Sequence, residues 1–144
     1  MFELSRYLYL AAAAPFLILG TAHALATPLT KSQRKGLSFR EPTLAESMEG
    51  GSVLLTRRTN VWLAWVGFNL SHSLGAILFG VMVLLTGRSV AVYRQEAPLF
   101  LPLALLVSGI YVVLAINYWF RTPIVGTTIS LVLFILSSVL FMLG

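Results

Sequence analysis

The chain has 144 residues, 58% of them hydrophobic and only 10% charged, against about a quarter charged in an average soluble domain. With a mean hydropathy of +0.87 it belongs in lipid, as an all-α integral membrane four-helix bundle forming one membrane domain over residues 1–144. The absence of cysteine removes disulfides, thiolate nucleophiles, iron–sulfur clusters and cysteine-type zinc sites. The net charge of +5 sits between apolar runs and points to membrane lipids, not to nucleic acid.

The first span is predicted over residues 7–26, uninterrupted by charge after Glu3 and Arg6. It resembles a signal peptide ending in Ala22, Ala24 and Ala26, but the acidic Glu3 weakens that reading and a retained helix is expected. Pro15 removes a backbone donor in its middle and should kink it. Residues 27–58 are the one long polar segment, with six basic residues from Lys31 to Arg58. Within it, Glu41-Pro42-Thr43 reads as a helix start and Gly50-Gly51 as its stop. That short helix is expected on the membrane surface, with Leu37, Phe39, Leu44 and Met48 dipping into the interface.

Further spans are predicted over residues 60–86, 98–120 and 124–143. The short connection Arg121-Thr122-Pro123 makes the last two an antiparallel hairpin. Tyr118, Trp119, Phe120 and Arg121 there form an interfacial belt. Seven basic residues fall on the side of the long loop and the Arg121 turn, and Arg6, Arg88 and Arg94 on the other. The positive-inside tendency then places the loop in the cytoplasm and both termini outside an inner membrane.

The second span carries the candidate site. At about 100° per residue, Trp62, Trp65, Asn69, His72, Ala76 and Phe79 share one face, while Gly67, Ser71 and Gly75 form a small-residue groove for another helix, with Ala11 to Ala14 as a matching surface. His72 lies about 15 Å from the loop end of its helix, near mid-bilayer, where an ionisable group should face the bundle interior. Asn69 is placed to share a ligand with it or to bond a neighbouring carbonyl. Tyr111 and Asn117 of the third span could line the same cavity. Hydroxyls of the fourth span, Thr127, Ser130, Ser137 and Ser138, are expected to bond backward to their own helix.

The string LLTRRTNVWLAWVGFNLSHSLG, the histidine late in span one and the Tyr118-Trp119-Phe120-Arg121 turn resemble a family of small, uncharacterised bacterial four-span membrane proteins with a W-x-x-W-x-G-F-N-x-S-H second helix. The resemblance implies the four-span topology and no activity.

Three functions follow. The first is a non-catalytic membrane protein that binds a lipid-like ligand through Trp62, Trp65, Asn69, His72, Tyr111 and Asn117. Alternatively it packs, as an accessory subunit or homo-oligomer, through Gly67, Ser71 and Gly75. The second is a membrane enzyme acting on a lipid or isoprenoid, with His72 as general acid or base and Asn69 orienting the substrate. The third is a haem subunit with His23 and His72 as ligands. His23 should lie within about 8 Å of its helix end, so the two imidazoles are expected at different depths, which argues against haem. No cofactor is expected, and metal chemistry lacks both an H-E-x-x-H spacing and any acidic residue within a span.

Overall fold

A computed structural model describes residues 1–144. Its elements are α1 (Phe2–Ala11), α2 (Ala13–Ala26), α3 (Pro42–Gly50), β1 (Ser52–Val53), β2 (Thr56–Asn60), α4 (Val61–Thr86), α5 (Val90–Tyr118) and α6 (Arg121–Met142). The chain is an all-α four-helix bundle with one small hairpin. Taken as Phe2–Ala26, α4, α5 and α6, four helices are long and apolar enough to cross a membrane.

Three boundaries differ from the predicted ones. The fourth long helix begins at Arg121, so Arg121-Thr122-Pro123 form its first turn and the connection before it is Trp119-Phe120. The third long helix begins at Val90, because the Ser89 hydroxyl accepts from the Val92 amide at 3.3 Å and caps it. Pro98 and Pro102 therefore lie inside α5 instead of opening it, as apolar helices allow when neighbours satisfy the backbone. The first helix starts at Phe2, where Glu3 and Arg6 pair at 3.1 Å. The break expected from Pro15 falls at Ala12, one turn earlier. Proline supplies no donor to the preceding turn and its ring crowds that turn. There Ser130 donates to the Ala12 carbonyl at 2.9 Å.

The chain divides into two compact units. One, residues 1–19 and 76–144, holds an aromatic core. Tyr9, Phe16, Phe79, Tyr93 and Phe134 are buried, with Phe134 edge-on to Tyr9 at 5.6 Å and near Phe79 at 6.0 Å. A polar clasp sits inside that core. Ser5 donates to the Ser137 carbonyl at 2.8 Å and Ser137 to the Ser5 carbonyl at 2.9 Å. Each serine proton is then spent, so the Tyr93 hydroxyl, 2.7 and 2.9 Å from the two serine oxygens, is the donor here, its single proton shared between them. Close helix contact comes from Gly80 and Gly126: a β-carbon on Gly80 would fall 2.7 Å from Leu17, and one on Gly126 would fall 2.6 Å from Leu19. Outward faces are aliphatic, with Leu99, Leu106, Ile110 and Val113 of α5 all exposed.

The other unit, residues 20–75, contains the end of α2, the connecting segment, α3, the hairpin and the first half of α4. Ala45, Trp62 and Val66 form its buried centre, with Phe39, Met48 and Trp65 packed against it. The helix α3 occupies the predicted span, Pro42 in its first turn and Gly51 ending it. Phe39 and Met48, expected in a lipid interface, face inward onto α4 instead, because the indoles of Trp62 and Trp65 offer the larger apolar contact. Phe39 lies 5.0 Å from Trp65 and 6.3 Å from Trp62. The hairpin pairs Ser52 with Asn60 and Val53 with Thr56, and the Val61 amide closes it onto the Gly51 carbonyl at 3.0 Å.

Candidate functional site

Asn69 is the hub of the site. Four residues, about one turn, separate it from Trp65, so its amide nitrogen reaches back to the Trp65 carbonyl at 2.8 Å. That bond turns its side-chain oxygen outward, to His23 Nε2 at 2.9 Å. Because an amide oxygen only accepts, His23 carries its proton on Nε2 in this contact. The Thr27 hydroxyl donates to the His23 carbonyl at 2.9 Å and tightens the last turn of α2.

His72 follows Asn69 at the i+3 position and meets the same partner. The His23 and His72 rings lie edge to face, centroids 5.3 Å apart and planes at 63°. Phe68 stacks near His72 at 6.3 Å with planes 17° apart. Asn69 is buried and both histidines are half-buried. Two imidazoles and an amide from two helices thus converge on one spot. They can donate and accept hydrogen bonds, pass a proton, or hold the polar head of an amphipathic molecule.

This overturns the expectation that the two histidines sit at different depths. His23 is one turn from the end of α2, whereas His72 is three turns from the start of α4, yet the rings touch. The estimate assumed helix ends at one level. Here α4 begins about 12 Å beyond the end of α2, and α3 and Phe39 cover those extra turns. The depth argument against a bis-histidine haem falls with it. A different geometric one replaces it, since the rings stand in edge contact and His23 Nε2, a nitrogen that would take the iron, is bonded to Asn69.

The other predicted residues are placed as follows. The face formed by Trp62, Trp65, Asn69, His72, Ala76 and Phe79 is the inward one: Trp62, Asn69, Ala76 and Phe79 are buried, and Trp65 and His72 half-buried. Trp62 and Trp65, 5.5 Å apart, pack against Phe39 of the connecting segment. Tyr111 and Asn117 belong to the other unit. Tyr111 stands edge-on to Phe16 at 5.1 Å, and the exposed Asn117 amide folds onto its own helix at the Val113 carbonyl, 2.7 Å away. Gly67, Ser71 and Gly75 are all exposed, and nothing lies within 4 Å of a β-carbon on Gly67. Within residues 20–75 that stripe is left uncovered. Ser71 and Ser73 donate to the carbonyls of Phe68 and Asn69 on their own helix.

His23 is the residue whose importance the sequence understates. Its signal was a histidine one turn before Thr27 at the end of an apolar helix, which by itself reads as an interface residue. Replacing Asn69 by leucine is expected to lower stability by about 1 kcal/mol, the size of an interhelical bond between apolar helices. It should also free the His23 ring to reorient, seen as a shift of its imidazole nitrogen resonances. An unmoved His23 signal would show that the amide does not hold it. No protein-family model, curated protein or solved structure matches this chain.

Proposed function

We propose that this is a small, non-catalytic integral membrane protein that binds a lipid-like molecule at the His23–Asn69–His72 cluster. It offers α4 to a second copy or a larger membrane complex through Gly67, Ser71 and Gly75. The observation that carries the reading is the 2.9 Å contact between His23 and Asn69, beside a second imidazole and among helices apolar enough to cross a bilayer. Polar groups at such positions are costly and persist where they bind or position something. The exposed small-residue stripe is the surface a neighbouring helix backbone approaches closely.

The bilayer proposed is the inner membrane, with the connecting segment cytoplasmic and both termini outside. A reporter fused to the C-terminus that is active only outside the cytoplasm supports that orientation; a cytoplasmic signal reverses it. For the ligand, the test is extraction of the native protein and His72→Ala in mild detergent, followed by mass spectrometry of what travels with each. The variant is expected to retain at least roughly tenfold less of the bound species. Equal retention would remove His72 from the site.

The rival reading, an enzyme acting on a lipid or isoprenoid with His72 as general acid or base, draws its support from the adjacent His23 as a second proton-carrying group. In that case Asn69 orients His23 and not the substrate, since both ends of its amide are engaged. Full activity in His72→Ala would end it.

A further inference from the structure

The segment joining α2 to α3 walls a pocket of about 310 Å³, at the small end of the roughly 300–1,000 Å³ that small-molecule sites occupy. Lys31 and Arg34 from the segment line it together with Glu41 and Glu46 from the start of α3, and Phe39 and Trp62 complete the wall. Two cations thus face two carboxylates, so neither a bare anion nor a bare cation matches the site. The four charges are not spent on one another. Lys31 pairs with Glu49, which is not part of the lining, and Arg34 is steadied by donating to the Phe39 carbonyl at 3.1 Å. Glu41 precedes α3 without a side-chain capping bond, and neither Glu41 nor Glu46 forms an ion pair in the protein.

A molecule that brings its own ammonium and its own phosphate satisfies both sets at once. The carboxylates accept from the ammonium, while Arg34 donates to phosphate oxygens in charge-assisted bonds beside the Lys31–Glu49 pair. The faces of Phe39 and Trp62 add attraction for the cation. We infer that this pocket binds the amine–phosphodiester headgroup of a zwitterionic phospholipid. The inference rests on the membrane reading above and is independent of the histidine cluster.

Trp62 in the wall makes binding visible as a change in indole fluorescence. The purified full chain in non-ionic detergent is titrated with short-chain phosphatidylethanolamine, short-chain phosphatidylglycerol and free phosphoethanolamine. A saturable response to phosphatidylethanolamine, at least roughly tenfold tighter than to phosphatidylglycerol, is the expected result. The double variant Glu41→Gln, Glu46→Gln should lose that preference, and Arg34→Gln should weaken both lipids. Equal affinity of the native protein for the two lipids overturns the assignment, and that comparison needs no variant to fold. Equal affinity for free phosphoethanolamine also overturns it, by giving the pocket to a soluble compound. Failure of the membrane reading shows separately, as a chain that does not float with vesicles.

Discussion

Gly80→Ile is expected to destabilise the bundle by about 3 kcal/mol, the upper end of overpacking costs. A single β-carbon there already falls 2.7 Å from Leu17 Cγ, 2.8 Å from Leu17 Cδ2 and 3.3 Å from the Ala13 carbonyl oxygen. The leucine tip can swing away, whereas the carbonyl belongs to a helix backbone and cannot. A branched side chain meets both, so α2 and α4 must separate. Gly109→Ile on α5 is the control. Nothing lies within 4 Å of its β-carbon, and its cost should stay within about 0.5 kcal/mol. Reversible unfolding in mixed micelles measures both, and equal losses at the two positions would show that close packing is not localised at Gly80.

Ser137→Leu should cost a similar amount, about 3 kcal/mol, by combining overpacking with a broken polar clasp. The site is fully buried, and its hydroxyl both donates to the Ser5 carbonyl and lies 2.9 Å from the Tyr93 hydroxyl. Leucine removes the bond and adds volume where Tyr93 and Ser5 already fill the space. Ser138→Leu, one residue on, should change little. Its hydroxyl bonds only to the Phe134 carbonyl of its own helix, and apolar neighbours tolerate its loss. If both variants unfold at the same detergent fraction as the native protein, the clasp contributes nothing to holding α1, α5 and α6 together.

These pairs of positions show where sequence reasoning reached and where it stopped. Periodicity identified the buried face of α4 from Trp62 to Phe79, because an inward face repeats at helical spacing whatever packs against it. It could not tell which small residue another helix approaches, so Gly67, Ser71 and Gly75 were indistinguishable in kind from Gly80. Likewise Thr127 and Ser138 bond backward as expected. Ser130 and Ser137 instead reach Ala12 and Ser5, a choice set by what lies opposite.

The start of α3 was legible because Glu41-Pro42 and Gly50-Gly51 are local backbone signals. The hairpin was not, since its turn is Leu54-Leu55, without the glycine or asparagine that marks a tight reversal. The meeting of His23 and His72 was hidden by a geometric assumption. Distance along a helix gives depth only when its end is level with its neighbour's, and the covering of Trp62 and Val66 by Phe39 and Ala45 removes that condition.

The same overhang keeps two polar places apart on one helix. Trp62, in the wall of the charged pocket, and His72 are ten residues apart along α4, a separation of about 15 Å. A headgroup-sized molecule cannot bridge that distance, so filling the one leaves the other open.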